Sequence, residues 1–207
     1  ELSPHSDIDL LFLTDVKPDA DHVQVIEFIL YLLWDLGLDI GHASRSLRQA
    51  FHAAKDDLTI RTALLEARHL AGLSSLSDKL LGQFHEDIVA DTAKSFIASK
   101  LEERDARHRR SDARRYMLEP NIKEGKGGLR DLQTLYWLAR YLYGVDEVEE
   151  LVALKVFTKQ DVKRYRKACD FLWTVRCHIH YLTNRAEERV SFDVQKAVGE
   201  RMAYNNR

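Results

Sequence analysis

Residues 6–14 read Ser-Asp-Ile-Asp-Leu-Leu-Phe-Leu-Thr, two acids one residue apart that run straight into an apolar block. Four consecutive apolar side chains, Leu10 to Leu13, suit a strand covered on both faces. In a strand, residues i and i+2 share a face and lie ~6.6 Å apart, so Asp7 and Asp9 project to one side. Two carboxylates at a strand's start repel unless a divalent cation neutralises them. Paired Mg²⁺ ions ~3.5–4 Å apart are the usual device of phosphoryl and nucleotidyl transfer. The spacing alone also suits an Asp-rich turn that caps a strand. The metal reading is favoured by context, a polar turn (Ser3-Pro4-His5-Ser6) before the acids and a buried strand after them.

A third acid strengthens it. Leu38-Asp39-Ile40-Gly41-His42-Ala43 follows Gly37, which stops a helix patterned from Asp21 to Trp34, and suits a second strand. Asp39 alternates with apolar neighbours, and a lone acid in such a strand is costly to bury without a cation or a donor. The competing reading is an edge-strand Asp pointing into water. Together Asp7, Asp9 and Asp39 form a carboxylate set suited to Mg²⁺ or Mn²⁺.

Helices are expected over about 44–56 and 57–69, with a further short strand at Arg68-His69-Leu70-Ala71-Gly72. After Ser77 only helical patterns remain. The longest, from about 159 to 184, puts Val162, Tyr165, Ala168, Leu172, Val175, Ile179 and Leu182 on one stripe. The pattern predicts a mainly helical α+β chain: a small mixed-sheet domain over 1–98, then an all-helical domain over 99–207. The hinge is expected between about residue 90 and residue 110, and the Gly125–Asp131 loop is expected to face the acids. Nine Gly and three Pro in 207 residues agree with that helical lean.

The Gly-rich loop itself spans Glu119-Pro120-Asn121-Ile122-Lys123-Glu124-Gly125-Lys126-Gly127-Gly128-Leu129-Arg130-Asp131. Its glycines let backbone approach a ligand closely, while Lys123, Lys126 and Arg130 offer charge to phosphate. It reads equally as a linker into a helix, with Asp131 favouring the helix dipole. The basic stretch Arg104 to Arg115 is expected to be a solvated helix face. Trp34, Trp137 and Trp173 are expected in core or interface positions, and the nine His show no ligand spacing.

Lys plus Arg number 31 against 33 Asp plus Glu, a net charge of −2, which argues against a protein that coats nucleic acid. No stretch approaches ~18 uncharged apolar residues, so no membrane partner is expected. Cys169 and Cys177, eight apart on one helix, would sit ~12 Å apart along its axis, beyond the ~7 Å that a disulfide tolerates. With no secretory leader, a reducing cytoplasm is the expected compartment.

Ser6-Asp7-Ile8-Asp9-Leu10-Leu11, Leu38-Asp39-Ile40-Gly41-His42, and Glu119-Pro120-Asn121-Ile122-Lys123 running into Gly127-Gly128-Leu129-Arg130-Asp131 resemble the bacterial PII uridylyltransferase/uridylyl-removing enzymes. Arg189-Val190-Ser191-Phe192-Asp193-Val194-Gln195 looks like that family too. The resemblance spans the chain but only the amino-terminal part of the family's enzyme, a DNA polymerase β-like nucleotidyltransferase. It implies that Asp7 and Asp9 ligate the metals, that Asp39 is the third acid, and that Ser6, Lys123, Lys126, Gly127, Gly128 and Arg130 border the nucleotide. It implies UTP as donor, a tyrosine hydroxyl of the PII signalling protein as acceptor, and further phosphohydrolase and ligand-sensing domains. The family's Gly-Gly turn for the triphosphate would fall before Glu1, so these 207 residues alone are expected to be inactive or nearly so. Adenylyl or other nucleotidyl transfer, a D-x-D glycosyltransferase and a non-catalytic helical interaction module are the alternatives.

Overall fold

The computed structural model describes residues 2–112 and 118–204, which fall into two compact units. One is Ser6–Ala93; the other joins Glu1–His5 to Lys94–Arg207.

The smaller unit is built on a β-α-β element. Strand β1 (Ile8–Thr14) and strand β2 (Ile40–Ser46) pair in parallel, Ile8 opposite Ile40 and Thr14 opposite Ser46. Helix α1 (Ala20–Asp35) makes the crossover that a parallel pair requires. Asp19 caps it by accepting the His22 N–H at 3.0 Å, and Gly37, at φ +78°, ends the turn that follows. Ile26 and Leu30 of α1 pack on Ile40, Ile8, Leu10 and Phe12, so the even-numbered side chains of β1 face this helix. Leu11 points the other way and is exposed while Leu13 on the same face is half-buried, so the expected cover on both faces is only partial.

Helices α2 (Leu47–Asp56), α3 (Leu58–Leu65) and α4 (Ser74–Gln83) complete this unit, and a π-helical segment (Phe84–Val89) continues α4. The helix expected from about residue 44 starts at Leu47, because β2 keeps its ladder to Ser46. There Ser46 and Gln49 close a capping box: Ser46 N–H donates to Gln49 Oε1 at 2.9 Å, and Gln49 N–H to Ser46 Oγ at 3.4 Å. The short strand expected at Arg68–Gly72 is not formed. Those residues are exposed and irregular, and no strand among the described residues offers them a partner. The sheet therefore has two parallel strands among the described residues, not a mixed set.

The larger unit is helical. Helix α5 (Ala90–Asp112) leads into it, followed by α6 (Leu129–Tyr143), the short α7 (Glu150–Ala153), α8 (Lys159–Thr183) and α9 (Phe192–Arg201). Phe96 of α5 stacks flat on Tyr141 of α6, centroids 3.8 Å apart. One core gathers Val175 and Ile179 of α8 with Val194 and Val198 of α9 and Ile122 of the loop. A second gathers Val162 of α8 with Ala139, Val145, Val148 and Leu151. The expected α8 stripe is thus the element that both cores share. Cys169 and Cys177 both lie on α8 and are not joined by a disulfide. Among the described residues no helix is long and apolar enough to cross a membrane.

Candidate functional site

The acids belong to the smaller unit. Asp9 lies in β1 directly opposite Gly41 of β2, and Ile8 N–H donates to the Asp39 carbonyl at 2.9 Å. Parallel partners point to the same face, so continuing the register by one residue sets Asp7 opposite Asp39. All three acids therefore occupy the face turned away from α1, at the amino ends of both strands. Each is exposed, and none has a cationic partner among the described residues.

The acids share a face without forming a closed cage. No three His, Cys, Asp or Glu side chains among the described residues converge tightly enough to hold a metal ion as they stand. Like charges on exposed rotamers spread apart when nothing lies between them, so a cation would have to draw them together. Their chemistry suits that role, since carboxylates are the hard oxygen donors that Mg²⁺ and Mn²⁺ select.

Gly41 is the residue that motif reading passed over. A Cβ there would fall 2.5 Å from Asp9 Oδ1, so the Asp9 carboxylate leans across the neighbouring strand through space that only glycine leaves open. A lone glycine inside a strand pattern is the signal that could have found it, because it marks a close approach.

The Gly-rich loop belongs to the larger unit. Pro120 to Ile122 pairs with Glu188 to Val190: Ile122 N–H donates to the Glu188 carbonyl and Val190 N–H to the Pro120 carbonyl, both at 2.9 Å. Asn121 Oδ1 accepts the N–H groups of Lys123 (3.0 Å) and Glu124 (2.6 Å), a side-chain turn that bends the chain. Gly127 takes φ +72°, and its N–H donates to Asp131 Oδ2 at 2.8 Å. Gly128 is buried; a Cβ there would meet the Ile122 carbonyl at 2.7 Å and that of Gly125 at 2.9 Å. These glycines close the loop on itself.

Two of the loop's cations have acidic neighbours. Lys123 Nζ lies 3.8 Å from Glu188, and Arg130 Nε lies 3.4 Å from Glu124 while its guanidinium covers Trp137 at 5.5 Å. Lys100, almost fully buried, covers the same indole at 5.2 Å and pairs with Glu103 at 2.9 Å. Trp137 is therefore a core residue, as expected, whereas Trp34 is exposed.

Asp131 ties the loop to α5. Arg107 and His108 both reach its carboxylate, His108 Nε2 at 2.8 Å. Burial pushes the Asp131 carboxyl up, but the Arg107 bond, the Gly127 N–H and His108 outweigh it, so the net shift is downward. The expected solvated face over Arg104–Arg115 is therefore only partly so: Arg107 turns inward, Arg109 and Arg110 are exposed, and Arg114 and Arg115 lie outside the described residues. Glu188 is a second hub. Arg176 grips it from α8 at 2.6 and 3.0 Å, and His180 Nε2 lies 3.9 Å away. His180 is fully buried and its Nδ1 accepts the His5 N–H at 3.3 Å, which places the ring proton on Nε2.

Residues 95–207 match the family model described as GlnD PII-uridylyltransferase. The whole chain is 53% identical over 207 residues to the bifunctional uridylyltransferase/uridylyl-removing enzyme of Rhodospirillum rubrum, covering 22% of that protein's length. Proteins of the same name from Azospirillum brasilense and Phenylobacterium zucineum are 52% and 50% identical over 206 residues, with 22% of each covered. The chain thus spans under a quarter of the length of the curated relatives it matches. No solved structure matches it.

Proposed function

The chain belongs to the PII-uridylyltransferase family, and from that premise we propose that it carries the acid-bearing part of an enzyme that moves UMP from UTP to a protein hydroxyl. The observation that supports this is the shared face of Asp7, Asp9 and Asp39, exposed and without cationic partners among the described residues. Residues 1–98 are then a polymerase β-like nucleotidyltransferase domain, and 99–207 its helical companion.

In this reading Asp7, Asp9 and Asp39 hold Mg²⁺ or Mn²⁺. When bound, such ions neutralise charge on the phosphates of UTP. The acceptor oxygen bonds to the α-phosphorus, the bond to the bridging oxygen breaks, and pyrophosphate leaves with that electron pair. Asp39 receives the hydroxyl proton. Ser6, immediately before the first acid, is assigned to the nucleotide. Lys123, Lys126, Gly127, Gly128 and Arg130 are assigned to it through the family resemblance alone, since Gly127 donates to Asp131 and two of the cations face Glu188 and Glu124.

The acceptor in this reading is a tyrosine of the PII signalling protein in the cytoplasm. The resemblance assigns phosphohydrolase and ligand-sensing domains to sequence outside these 207 residues, which cover 22% of the length of the Rhodospirillum rubrum relative. The test is label transfer by the full-length protein with Mg²⁺, PII and a panel of α-labelled nucleotides. Label on a PII tyrosine from UTP and not from ATP supports the reading. Preference for ATP would replace it with adenylyl transfer, and no transfer from any nucleotide would overturn it.

A further inference from the structure

We infer that Gly41 is a positioning residue for Asp9, an assignment that rests on the metal-binding reading of the acids. The two residues are direct partners across the parallel ladder, so a side chain at 41 would project on the same face as the Asp9 carboxylate. An added Cβ would sit 2.5 Å from Asp9 Oδ1 and 3.7 Å from Cγ. Real carbon–oxygen contacts stop well beyond the first of those distances, so with any other residue at 41 the carboxylate must rotate out of its present direction.

The position has a cost that packing does not repay. Glycine inside a strand weakens it through backbone entropy and brings no side chain to the ladder. Its φ is not in the left-handed region, so backbone conformation does not demand glycine here. Among the described residues, the Asp9 carboxylate is the only side chain that the added atom would meet. Gly41 thus leaves a slot over β2, and Asp9 leans through it towards the strand that Asp39 precedes. The slot lets the Asp9 carboxylate lie over the neighbouring strand.

The test is a double-mutant cycle in the full-length protein, with Gly41→Ala and Asp9→Ala made singly and together. Two quantities are read: Mn²⁺ affinity by electron paramagnetic resonance, and hydrogen exchange over the β1 and β2 segments. Gly41→Ala is expected to weaken Mn²⁺ binding by about tenfold or more, the usual effect of disturbing a ligand's support, and to speed exchange in β1. In the Asp9→Ala background the same change should leave Mn²⁺ binding unaltered and should not speed exchange, because the clashing carboxylate is gone and Ala suits a strand better than Gly. Equal effects of Gly41→Ala in both backgrounds would overturn the assignment, since Gly41 would then act independently of Asp9. Mn²⁺ binding that responds to Asp9→Ala but not to Gly41→Ala would also overturn it, while leaving the metal reading intact. Binding indifferent to Asp9→Ala would overturn the metal reading itself, and with it any role of Gly41 towards the ion.

Discussion

Asp131 Oδ2 accepts the backbone N–H of Gly127 at 2.8 Å, so the first turn of α6 holds the glycine loop that feeds it. The same carboxylate takes Arg107 and His108 from α5. One side chain therefore fixes the loop, the helix after it and the helix before it.

Asp131→Ala should loosen all three. It leaves Arg107, nine-tenths buried, without its main anionic partner, and breaking such a pair from one side typically costs about 3 kcal/mol or more. Hydrogen exchange over residues 121–131 should accelerate well beyond the change seen with Asp131→Asn, which keeps an acceptor for Gly127. Equal protection in both variants and the wild type would show that the carboxylate holds nothing.

The acid limb of stability should carry the signature of Asp131. Its folded-state carboxyl titrates below the usual range, so its contribution is complete above the unfolded value of about 3.9 and is lost as pH falls through the lower folded one. Comparing Asp131→Asn with wild type in acid titrations should show a shallower decline for the variant.

His180 should act at milder pH and through the same sign. Burial first, then the neighbouring Arg176, His5 and Lys123, lower its affinity for a proton, against the pull of Glu188. Below about pH 6.5 the unfolded chain binds a proton that the folded one resists, so stability falls as pH drops towards the folded value. His180→Gln should flatten that slope. A slope unchanged by the substitution would mean that another group sets it.

Gly128→Ala should be among the most damaging small changes in the helical unit. The added methyl meets three backbone carbonyls, at 2.7, 2.9 and 3.0 Å, which cannot swing aside as a flexible side chain would. Overpacking of this kind costs about 1–3 kcal/mol. Loss of solubility or a lowered unfolding midpoint is the expected outcome, and a variant as stable as wild type would contradict the closed-loop geometry.

Local chemistry was legible in the sequence where local rules decide it. The Gly37 stop, the α8 stripe and the pairing of apolar β1 with an acid-led second strand all follow from period and punctuation. The carboxyl end of β2 was not legible, because Ser44 to Ser46 are held in the strand by partners thirty-two residues earlier, Phe12 to Thr14. The partners of the loop cations escaped for a similar reason. Glu188 lies far along the chain from Lys123, and only the fold brings the two within 3.8 Å. Motif reading therefore found residue types suited to phosphate and missed the acids that face two of them.

The central claim is that the acids on one sheet face carry nucleotidyl transfer. Its most direct measurement is UMP transfer from α-labelled UTP to PII by the full-length protein, for wild type, Asp9→Asn and Asp39→Asn, each checked for folding by circular dichroism. Removing a metal-ligand charge should cost about 3 kcal/mol or more of transition-state stabilisation, a rate loss of at least about a hundredfold, with the fold unchanged. Wild-type transfer rates in a folded Asp9→Asn variant would contradict the account.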